Sequence, residues 1–461
     1  MHIVHELIDP DADKVVRRLS SSGYQAYLVG GCVRDLLLNR NPKDFDVSSS
    51  ATPAEIKSLF RNCRIIGRRF RLAHIFFGSK IIETATFRAN PRADADSGEL
   101  LIHRDNVWGT DTEDAQRRDF TINGLFYDVE DELVIDHVNG LDDLKRRLIR
   151  TIGDPDIRFQ EDPVRILRAI KFAARLGFDV EENTYNAIIR HRADIKKSSQ
   201  PRVLEELYRL LLGGAARRSF EILAETGVMS CLSEHLGLLY GAKSGALLDQ
   251  EVSARVEQSH NSNNQDWAKG WLEHDLPDAA TETVETTPAF QSSFSDSVDH
   301  DARMELAWNL LGQLDRMVAE EKPTSNALAL ACTLAAFVVP DILPEDIKPP
   351  QAADMVQELL QPLISQVGIT RRDAERSVQI LLAQRRLQPS RKKRSKPMAF
   401  VQRDYFSESL TLHEMISAAR GQVAPDLHFW RNLQKEGGID PNQPPERKRR
   451  RGGRRRRRQS E

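Results

Sequence analysis

The spacing of hydrophobic residues changes once along the chain. Up to residue 138, apolar residues fall mainly in short runs between Gly, Pro, Asn and Asp, a pattern typical of β-strands. From Leu141 onward they recur every three or four residues, which is typical of α-helices. The predicted strands are residues 27–29, 44–47, 63–66, 71–77, 81–87 and 133–138. The chain is therefore predicted to contain an α/β head, with a short mixed sheet and helices on one side, followed by an all-helical region.

Local signals fix several helix and turn positions. Thr52 and Glu55 can form a capping box around Pro53, which suits the first position of a helix. A Gly-Ser-Lys turn at residues 78–80 predicts a hairpin between two strands. The predicted helices are residues 10–22, 53–60, 113–126, 141–148, 162–176, 182–191, 201–212, 215–226, 229–239, 302–320, 400–420 and 426–434, with further helices up to residue 384.

Composition divides the chain into five predicted segments. A head at residues 1–150 precedes a helical neck and body at 151–240, which is expected to contact the nucleotide base and RNA. Residues 241–301 are rich in Ser, Asn, Gln, Thr, Asp and Glu, so a flexible insertion is predicted there. A helical C-terminal region at 302–436 is expected to bind RNA, and a disordered basic tail occupies 437–461.

Composition also bears on the location of the protein. The 461 residues are 40% hydrophobic and 29% charged, as in a globular protein. The four cysteines show no Cys-x-x-Cys spacing, so neither a zinc site nor a disulfide framework is predicted. The N-terminus has no basic region before an apolar core, and the apolar run at 327–339 is too short to cross a bilayer. A cytoplasmic protein without a membrane partner is expected.

The net charge of −2 conceals a strong segregation of charge. Ten basic residues and no acid occupy residues 447–458, and further basic runs lie at 391–396 and 61–71. Such runs bind phosphate backbones, which favours RNA as the partner. The alternative for the last run is a solubilising tail.

The stretch from residue 28 to 47 carries the first candidate chemistry. Gly30 and Gly31 join a predicted strand to a helix, and their backbone N–H groups can approach a phosphate closely. Asp44 and Asp46 share one face of the next strand, where two carboxylates repel unless a cation such as Mg²⁺ lies between them. A Gly-Gly pair is usually a turn, and an Asp-x-Asp pair is usually a solvated strand end. Together, with Arg34 one helical turn after Gly30, they indicate nucleotidyl transfer.

Two later segments extend this interpretation. Glu83, within a predicted strand, is a candidate third carboxylate, or alternatively a strand-edge acid facing water. Arg118 is a candidate contact to a triphosphate, because arginine binds phosphate through two donors. Asp119 could orient Arg118 or add charge to the metal site. The alternative for both is a solvated helix face.

A third segment is a candidate for base selection. Asp162 is predicted to cap a helix that starts at Pro163, with Arg165 and Arg168 on the same face. A carboxylate that accepts from an exocyclic amine and an arginine that donates to a ring nitrogen would recognise the Watson–Crick edge of adenine or of cytosine. This pair by itself does not separate ATP from CTP. The alternative is an N-cap with exposed arginines.

Taken as a set, five motifs resemble a known family. They are LVGGCVRD, KDFDV, ATFR, EDAQRRDFTIN and EDPVRILRAIKFAARL, within residues 24–240. The chain resembles the bacterial poly(A) polymerase and CCA-adding enzyme family, the second class of template-independent nucleotidyltransferases. Within that family, residues 65–75 resemble the signature that separates poly(A) polymerases from CCA-adding enzymes, and the basic tail favours the same assignment.

The resemblance implies a fold, a reaction and a set of site residues. The head would be a polymerase-β-like palm, and the reaction would add adenylate from ATP to RNA 3′ ends with two Mg²⁺ ions, a polyadenylation that promotes RNA turnover. The alternatives are a CCA-adding enzyme and an RNA-binding adaptor with a degenerate head. The implied catalytic acids are Asp44, Asp46 and Asp119, with Glu83 as a further metal ligand. The implied nucleotide contacts are Gly30, Gly31, Arg34, Arg118, Asp162, Arg165 and Arg168.

Overall fold

The computed structural model forms two compact units. One contains Met1–Thr287 with Gln366–Gly368, and the other contains Pro288–Ser365 with Ile369–Glu461. The residues that the structure describes are 3–67, 71–89, 107–261, 297–344, 346–388, 396–423 and 426–437.

The head is built on a mixed β-sheet. Within the described residues, seven strands pair in the order β3-β4-β5-β2-β1-β6-β7. β2 and β5 run parallel, and the other neighbours are antiparallel. The strands are β1 Ala26–Val29, β2 Asp46–Ser49, β3 Cys63–Ile66, β4 Leu72–Phe77, β5 Lys80–Thr86, β6 Leu125–Asp128 and β7 Leu133–Asp136.

Alternation of side chains gives strands β2 to β5 one buried face. Val47, Ile75 and Ile82 are almost completely buried on three of these strands. Their neighbours Asp46 and Glu83 are exposed, because successive strand residues point to opposite faces. The sheet therefore presents a polar face opposite its hydrophobic core.

Short helices cover and connect the head strands. α1 contacts β1, β2 and β5, and α3 contacts β3 and β4. The predicted capping box of α3 is confirmed, since Thr52 and Glu55 bond reciprocally. The helices are α1 Pro10–Ser21, α2 Gly31–Leu37, α3 Pro53–Leu59, α4 Asp111–Gln116 and α5 Gly140–Arg146, with a 3-10 turn at Thr121–Asn123.

The predicted helix at residues 113–126 is wrong beyond its first turns. α4 ends at Gln116, Phe120 is extended and buried, and Leu125 begins strand β6. The helical spacing of this segment is overridden because β6 pairs with β1 and lies inside the sheet. This break places Arg118 and Asp119 in a connection beside β1 and β2, instead of on a regular helix.

From residue 147 to residue 261 the first unit is mostly helical, as predicted for residues 151–240, apart from the two-residue strands β8 Leu148–Ile149 and β9 Asp179–Val180. The predicted helix at 229–239 is divided at Ser233, whose side chain accepts from the Leu236 N–H. Residues 245–261 are helical although they lie in the predicted insertion. The helices are α6 Pro155–Glu161, α7 Val164–Leu176, α8 Glu182–His191, α9 Gln200–Leu211, α10 Ala216–Glu225, α11 Val228–Leu232, α12 Glu234–Leu239 and α13 Gly245–Asn261, with a 3-10 helix at Arg192–Lys197.

The C-terminal part of the chain is helical wherever it is described. The apolar run at 327–339 is a buried helix, as predicted. Among the described residues, no helix is both long enough and apolar enough to cross a membrane. The helices are α14 Ser297–Ala319, α15 Asn326–Ile342, α16 Pro349–Val367, α17 Arg371–Leu387, α18 Pro397–Val401, α19 Phe406–Ala419 and α20 Leu427–Glu436.

Several predictions fall outside the described residues. They concern the central part of the 65–75 signature, the loop at 90–98, residues 262–296 of the predicted insertion and the basic tail from residue 438 onward. Most of the second basic run, residues 391–395, also lies outside them.

Candidate active site

A glycine turn connects β1 to α2 at the centre of the sheet. Gly30 has a φ of 74°, which favours glycine, and its N–H donates to the Leu125 carbonyl at 3.0 Å. A Cβ atom at Gly30 would lie 2.9 Å from Nη1 of Arg118 and 3.7 Å from the Asn123 carbonyl oxygen. The turn therefore leaves room for a guanidinium group directly against the backbone.

Arg118 is held over this turn by several weak or shared contacts. Its guanidinium carbon lies 5.2 Å from the centre of the Phe126 ring. The charge of Arg118 also partly offsets the rise in the pKa of Asp46. Its donors contact Asp114 Oδ2 at 3.0 Å, Ser48 Oγ at 3.4 Å and the Asn123 carbonyl at 3.5 Å.

Asp46 lies at the start of β2 among other acids. It is directly opposite Glu83 in the parallel pair of β2 and β5, and Asp44 precedes the strand by two residues at an exposed position. Although Asp46 is exposed as a residue, surrounding protein atoms crowd its carboxylate, and the resulting loss of hydration, with smaller contributions from the charges of Glu83 and Asp44, raises the pKa of Asp46 to about 6. The structure thus places Asp46 beside Glu83, while Asp44 lies two residues before Asp46 in the chain.

This set of carboxylates fits a hard divalent cation. Carboxylate oxygens are preferred by Mg²⁺, and a cation would offset the repulsion that raises the pKa of Asp46. In the part of the chain that the structure describes, no three His, Cys, Asp or Glu side chains lie together as ligands for one ion. Mg²⁺ commonly takes one or two carboxylates and completes its shell with water and substrate phosphates. Asp44 and Asp46 would therefore hold the metal, and Glu83 would add charge beside them.

Asp119 is placed differently from Asp46. Its carboxylate accepts from Nε and Nη2 of Arg168 at 2.7 and 2.5 Å, and from Nδ2 of Asn123 at 3.3 Å. Burial alone would raise the pKa of Asp119, but the Arg168 guanidinium and the Asn123 amide lower it to about 2. The structure therefore shows Asp119 in an ion pair between the head and α7, and a direct catalytic role for it stays a prediction.

Arg34 is buried, contrary to the expectation for a phosphate contact. Only 3% of the residue is exposed. Its donors are directed to Asp35 at 2.7 and 2.8 Å and to Asn123 Oδ1 at 2.6 Å. Because these partners already bind the guanidinium, Arg34 stabilises α2 from below the glycine turn.

Asn123 was missed by the sequence interpretation. Its side-chain oxygen accepts from Arg34, its amide donates to Asp119, and its backbone carbonyl accepts from Arg118. Asn123 therefore links the three charged residues around the glycine turn. Its position at the end of the EDAQRRDFTIN motif was the available signal, but the tertiary contacts define its role.

The predicted base-selecting residues lie at the junction of α6 and α7. Asp162 does not cap α7 as expected: it follows the last residue of α6, and Oδ2 accepts from Nη2 of Arg202 at 2.7 Å. Its other oxygen, Oδ1, is buried without a hydrogen-bond partner among the described residues. Because this buried oxygen lacks a partner, a hydrogen bond from the amine of a base would satisfy it.

Arg165 is oriented by an acid that the sequence interpretation did not single out as functional. Its Nη1 donates to Glu161 Oε2 at 3.0 Å and to the Arg158 carbonyl at 2.9 Å. Arg158 also donates to Glu161, at 2.8 Å. Arg168, expected on the same face as a nucleotide contact, pairs instead with Asp119. Arg165 and Arg168 therefore have different acidic partners, Glu161 for Arg165 and Asp119 for Arg168.

Two family models match this chain. Residues 26–150 match the model described as "Poly A polymerase head domain". Residues 177–236 match the model described as "Probable RNA and SrmB- binding site of polymerase A". The first match covers the sheet, the glycine turn, Asp46 and Arg118.

Curated proteins match about half of the chain. The chain is 48% identical over 225 residues to poly(A) polymerase I of Escherichia coli O6:H1, which covers 47% of this chain and 48% of that protein. It is 38% identical over 226 residues to the CCA-adding enzyme of Lactobacillus helveticus, covering 48% of this chain and 55% of that protein. The chain spans about half the length of the curated relatives it matches.

A solved structure shares the overall architecture. The chain aligns with the CCA-adding enzyme of Bacillus stearothermophilus in complex with CTP, with a TM-score of 0.59 over 93% of this chain and 83% of that chain. Sequence identity in this alignment is 21%, so the likeness concerns the fold. It confirms an α/β head followed by a helical region. Residues 26–150 thus match the poly(A) polymerase head domain family, and over about half of its length the chain is similar to class II nucleotidyltransferases.

Proposed function

We propose that this protein adds adenylate from ATP to RNA 3′ ends without a template. The observation that carries the proposal is the position of Arg118, which lies against the Gly30 turn and contacts Ser48, two residues along β2 from Asp46. This arrangement sets a phosphate-binding guanidinium beside acids that fit Mg²⁺. In the reaction, the RNA 3′ oxygen forms a bond to the α-phosphorus of ATP, and the bond to pyrophosphate breaks.

Each part of the site has a separate task in this mechanism. Asp44 and Asp46 would hold Mg²⁺, which would supply activation of the 3′-hydroxyl and stabilisation of the leaving pyrophosphate. Arg118 and the Gly30–Gly31 backbone bind the triphosphate. Arg34 and Asn123 keep the turn in place from inside the protein.

Base selection in the proposal depends on residues of the α6–α7 junction. The open Oδ1 of Asp162 accepts from the amine of adenine, while the other oxygen stays bound to Arg202. Arg165, oriented by Glu161, donates to the ring nitrogen. Cytosine offers the same two groups in the same order, so the similarity to poly(A) polymerases is what favours ATP.

That similarity supports adenylate addition over CCA addition. Identity to the poly(A) polymerase I of E. coli is 48%, against 38% to the L. helveticus CCA-adding enzyme, over alignments of similar length. CCA addition is the second candidate, and the fold shared with the B. stearothermophilus enzyme supports it.

The product of the reaction distinguishes the two candidates. We expect the purified protein, given Mg²⁺, a short RNA primer and one nucleotide at a time, to produce a long ladder with ATP alone. A gel of the products measures it. If a mixture of CTP and ATP instead gives addition that stops after C, C and A, the protein is a CCA-adding enzyme. RNA binding without any addition would favour the adaptor function.

Replacing Gly30 tests the triphosphate contact. Gly30→Ala is expected to raise KM for ATP by about tenfold, because the new Cβ displaces the Arg118 guanidinium from the turn. The positive φ of this position also strains alanine, so Tm falls. Steady-state kinetics and thermal unfolding measure the two effects.

Gly78→Ala is the control for the backbone effect. Gly78 has a φ of 63° in the hairpin turn, and a Cβ there would have no atom within 4 Å. It should lower Tm while leaving KM for ATP unchanged. An equal rise of KM in both variants would contradict a specific contact between the Gly30 turn and Arg118.

A further inference from the structure

One row of residues crosses four strands of the head on the face that carries the carboxylates. Asp46 on β2 lies opposite Glu83 on β5, Glu83 lies opposite His74 on β4, and His74 lies opposite Arg64 on β3. Directly opposite residues of paired strands point to the same face. The row therefore runs from the candidate metal site to the β3 edge of the sheet.

Side-chain contacts agree with this register. Nε2 of His74 lies 3.5 Å from Oε1 of Glu83. The guanidinium carbon of Arg64 lies 5.6 Å from the centre of the Phe76 ring, which belongs to the same face of β4. The alternate residues of β4, Ala73 and Ile75, are fully buried beneath. The row is thus the outer layer of a sheet whose other face is the core.

The outer layer contains apolar surface as well as charge. Ile66 on β3 is 45% exposed and Ile81 on β5 is 42% exposed. Ile81 lies directly opposite Phe76, which is partly buried, so the two form a continuous apolar patch beside Arg64. A cation next to an aromatic ring and aliphatic side chains is a combination that binds single-stranded RNA, with the cation on the phosphate and a base against the ring.

We propose that this face, formed by Arg64, His74, Phe76 and Ile81, binds the last unpaired nucleotides of the RNA whose 3′ end is extended. The inference rests on the proposed function, because that reaction requires an RNA end at Asp46. Arg64 binds a phosphate of the primer strand, and Phe76 with Ile81 packs against a base. A paired base would not expose its flat face, so the occupant is single-stranded.

The charges along the row define the direction in which the RNA strand would lie, from Arg64 to Asp46. The carboxylates of Asp46 and Glu83 repel RNA phosphates, whereas the guanidinium at the β3 edge attracts them. A strand that enters over Arg64 can place its uncharged 3′-hydroxyl at the acidic end of the row. His74, beside Glu83, lies at the change from the cationic to the acidic part.

Arg64→Ala tests the proposal, because this exposed side chain can be removed without opening the core. We expect KM for a single-stranded RNA primer to rise about fivefold, with KM for ATP unchanged. The slope of log KM for RNA against log salt concentration should fall by about 0.7, the value for one phosphate contact on a single strand.

Arg18→Ala is the matched control. Arg18 is exposed on α1 and its guanidinium lies 5.2 Å from the centre of the Phe60 ring, an arrangement of the same kind elsewhere on the head. This variant should keep both the wild-type KM for RNA and the wild-type salt slope. If Arg64→Ala behaves like Arg18→Ala, or if it raises KM for ATP instead of RNA, the proposed face does not bind the primer.

A photocrosslink provides a second readout that does not depend on turnover. An RNA with 4-thiouridine at its last position, incubated with wild-type protein without ATP, should crosslink to the β4–β5 segment around Phe76 and Ile81. Crosslinks confined to the helical region would overturn the inference. The failure of the proposed function is recognised separately, because wild-type protein would then not extend the primer with any nucleotide.

Discussion

Replacing Asp46 by Asn is expected to reduce nucleotide addition by about 10³-fold or more while making the metal-free protein more stable. The loss follows because Asp46 is a metal-holding carboxylate in the proposed mechanism, and metal stabilisation of a transition state contributes several kcal/mol. The gain in stability follows because the pKa of Asp46 is raised to about 6 by lost hydration and nearby carboxylates. A raised folded-state pKa means that the ionised group destabilises the fold at neutral pH. Primer extension and thermal unfolding in a chelator measure the two effects.

Two companion variants make the assignment specific. Glu83→Gln removes the neighbouring charge without removing a predicted primary ligand, so activity should fall less than with Asp46→Asn. Asp142→Asn removes an exposed carboxylate that pairs with Arg146 on α5 and should change neither activity nor Tm. Full activity of the Asp46→Asn protein would refute the metal-site assignment. A lower Tm for this variant in the chelator would refute the electrostatic argument.

Replacing Arg168 by Ala is expected to lower the free energy of unfolding by about 2 kcal/mol at neutral pH. The Asp119 side chain is 11% exposed, so its carboxylate would be left without its cation in a largely buried position. The hydrogen bond that Asn123 donates to Asp119 would also weaken. Asn123 and Arg118 should then be displaced, and activity should fall. Chemical denaturation followed by circular dichroism measures the stability.

The loss of stability in Arg168→Ala should depend on pH in a defined direction. The folded-state pKa of Asp119 is about 2, below its ordinary value of 3.8. Stability from the Asp119–Arg168 pair is therefore present above about pH 4 and is lost as the pH falls toward 2. The difference between wild type and Arg168→Ala should narrow over this interval. A difference that stays constant down to pH 2 would show that the arginine stabilises the protein through packing on Phe172 instead of through its charge.

An exposed ion pair is the control for the Arg168 variant. Arg190 donates to both oxygens of Asp156 at 3.0 and 2.8 Å, but both side chains are well exposed. Arg190→Ala should change the free energy of unfolding by less than about 1 kcal/mol. Equal losses in the two variants would contradict the argument from burial.

Local signals predicted the first half of the head well. The capping box at Thr52 and the turn at Gly78 are formed by residues close in sequence, so helix α3 and the β4–β5 hairpin could be predicted without the fold. The segment after Gln116 could not, because strand β6 is stabilised by pairing with β1 across a long stretch of chain. Its apolar residues fit a helix or a buried strand equally well.

The site residues fall into the same two groups: those that local motifs predict and those that depend on contacts between distant segments. Asp46 and Gly30 could be predicted, since their motifs are short and their chemistry follows from residue type. The burial of Arg34, the pairing of Asp119 with Arg168 and the linking role of Asn123 all depend on contacts between distant segments. No periodicity records such contacts.

The sequence by itself predicted nucleotidyl transfer and determined that an α/β head precedes a helical region. A carboxylate pair, a glycine turn and arginines at fixed spacings require particular residue types, and residue types are visible in a sequence. Only the tertiary structure decided which charged groups remain available for ligands. Arg118 lies against the Gly30 turn and shares Asp114 with Arg117, whereas Arg34 and Arg168 are bound by Asp35 and Asp119. The physical reason is that a charge is neutralised by whichever opposite charge the fold brings near, and that neighbour is set by packing and strand register.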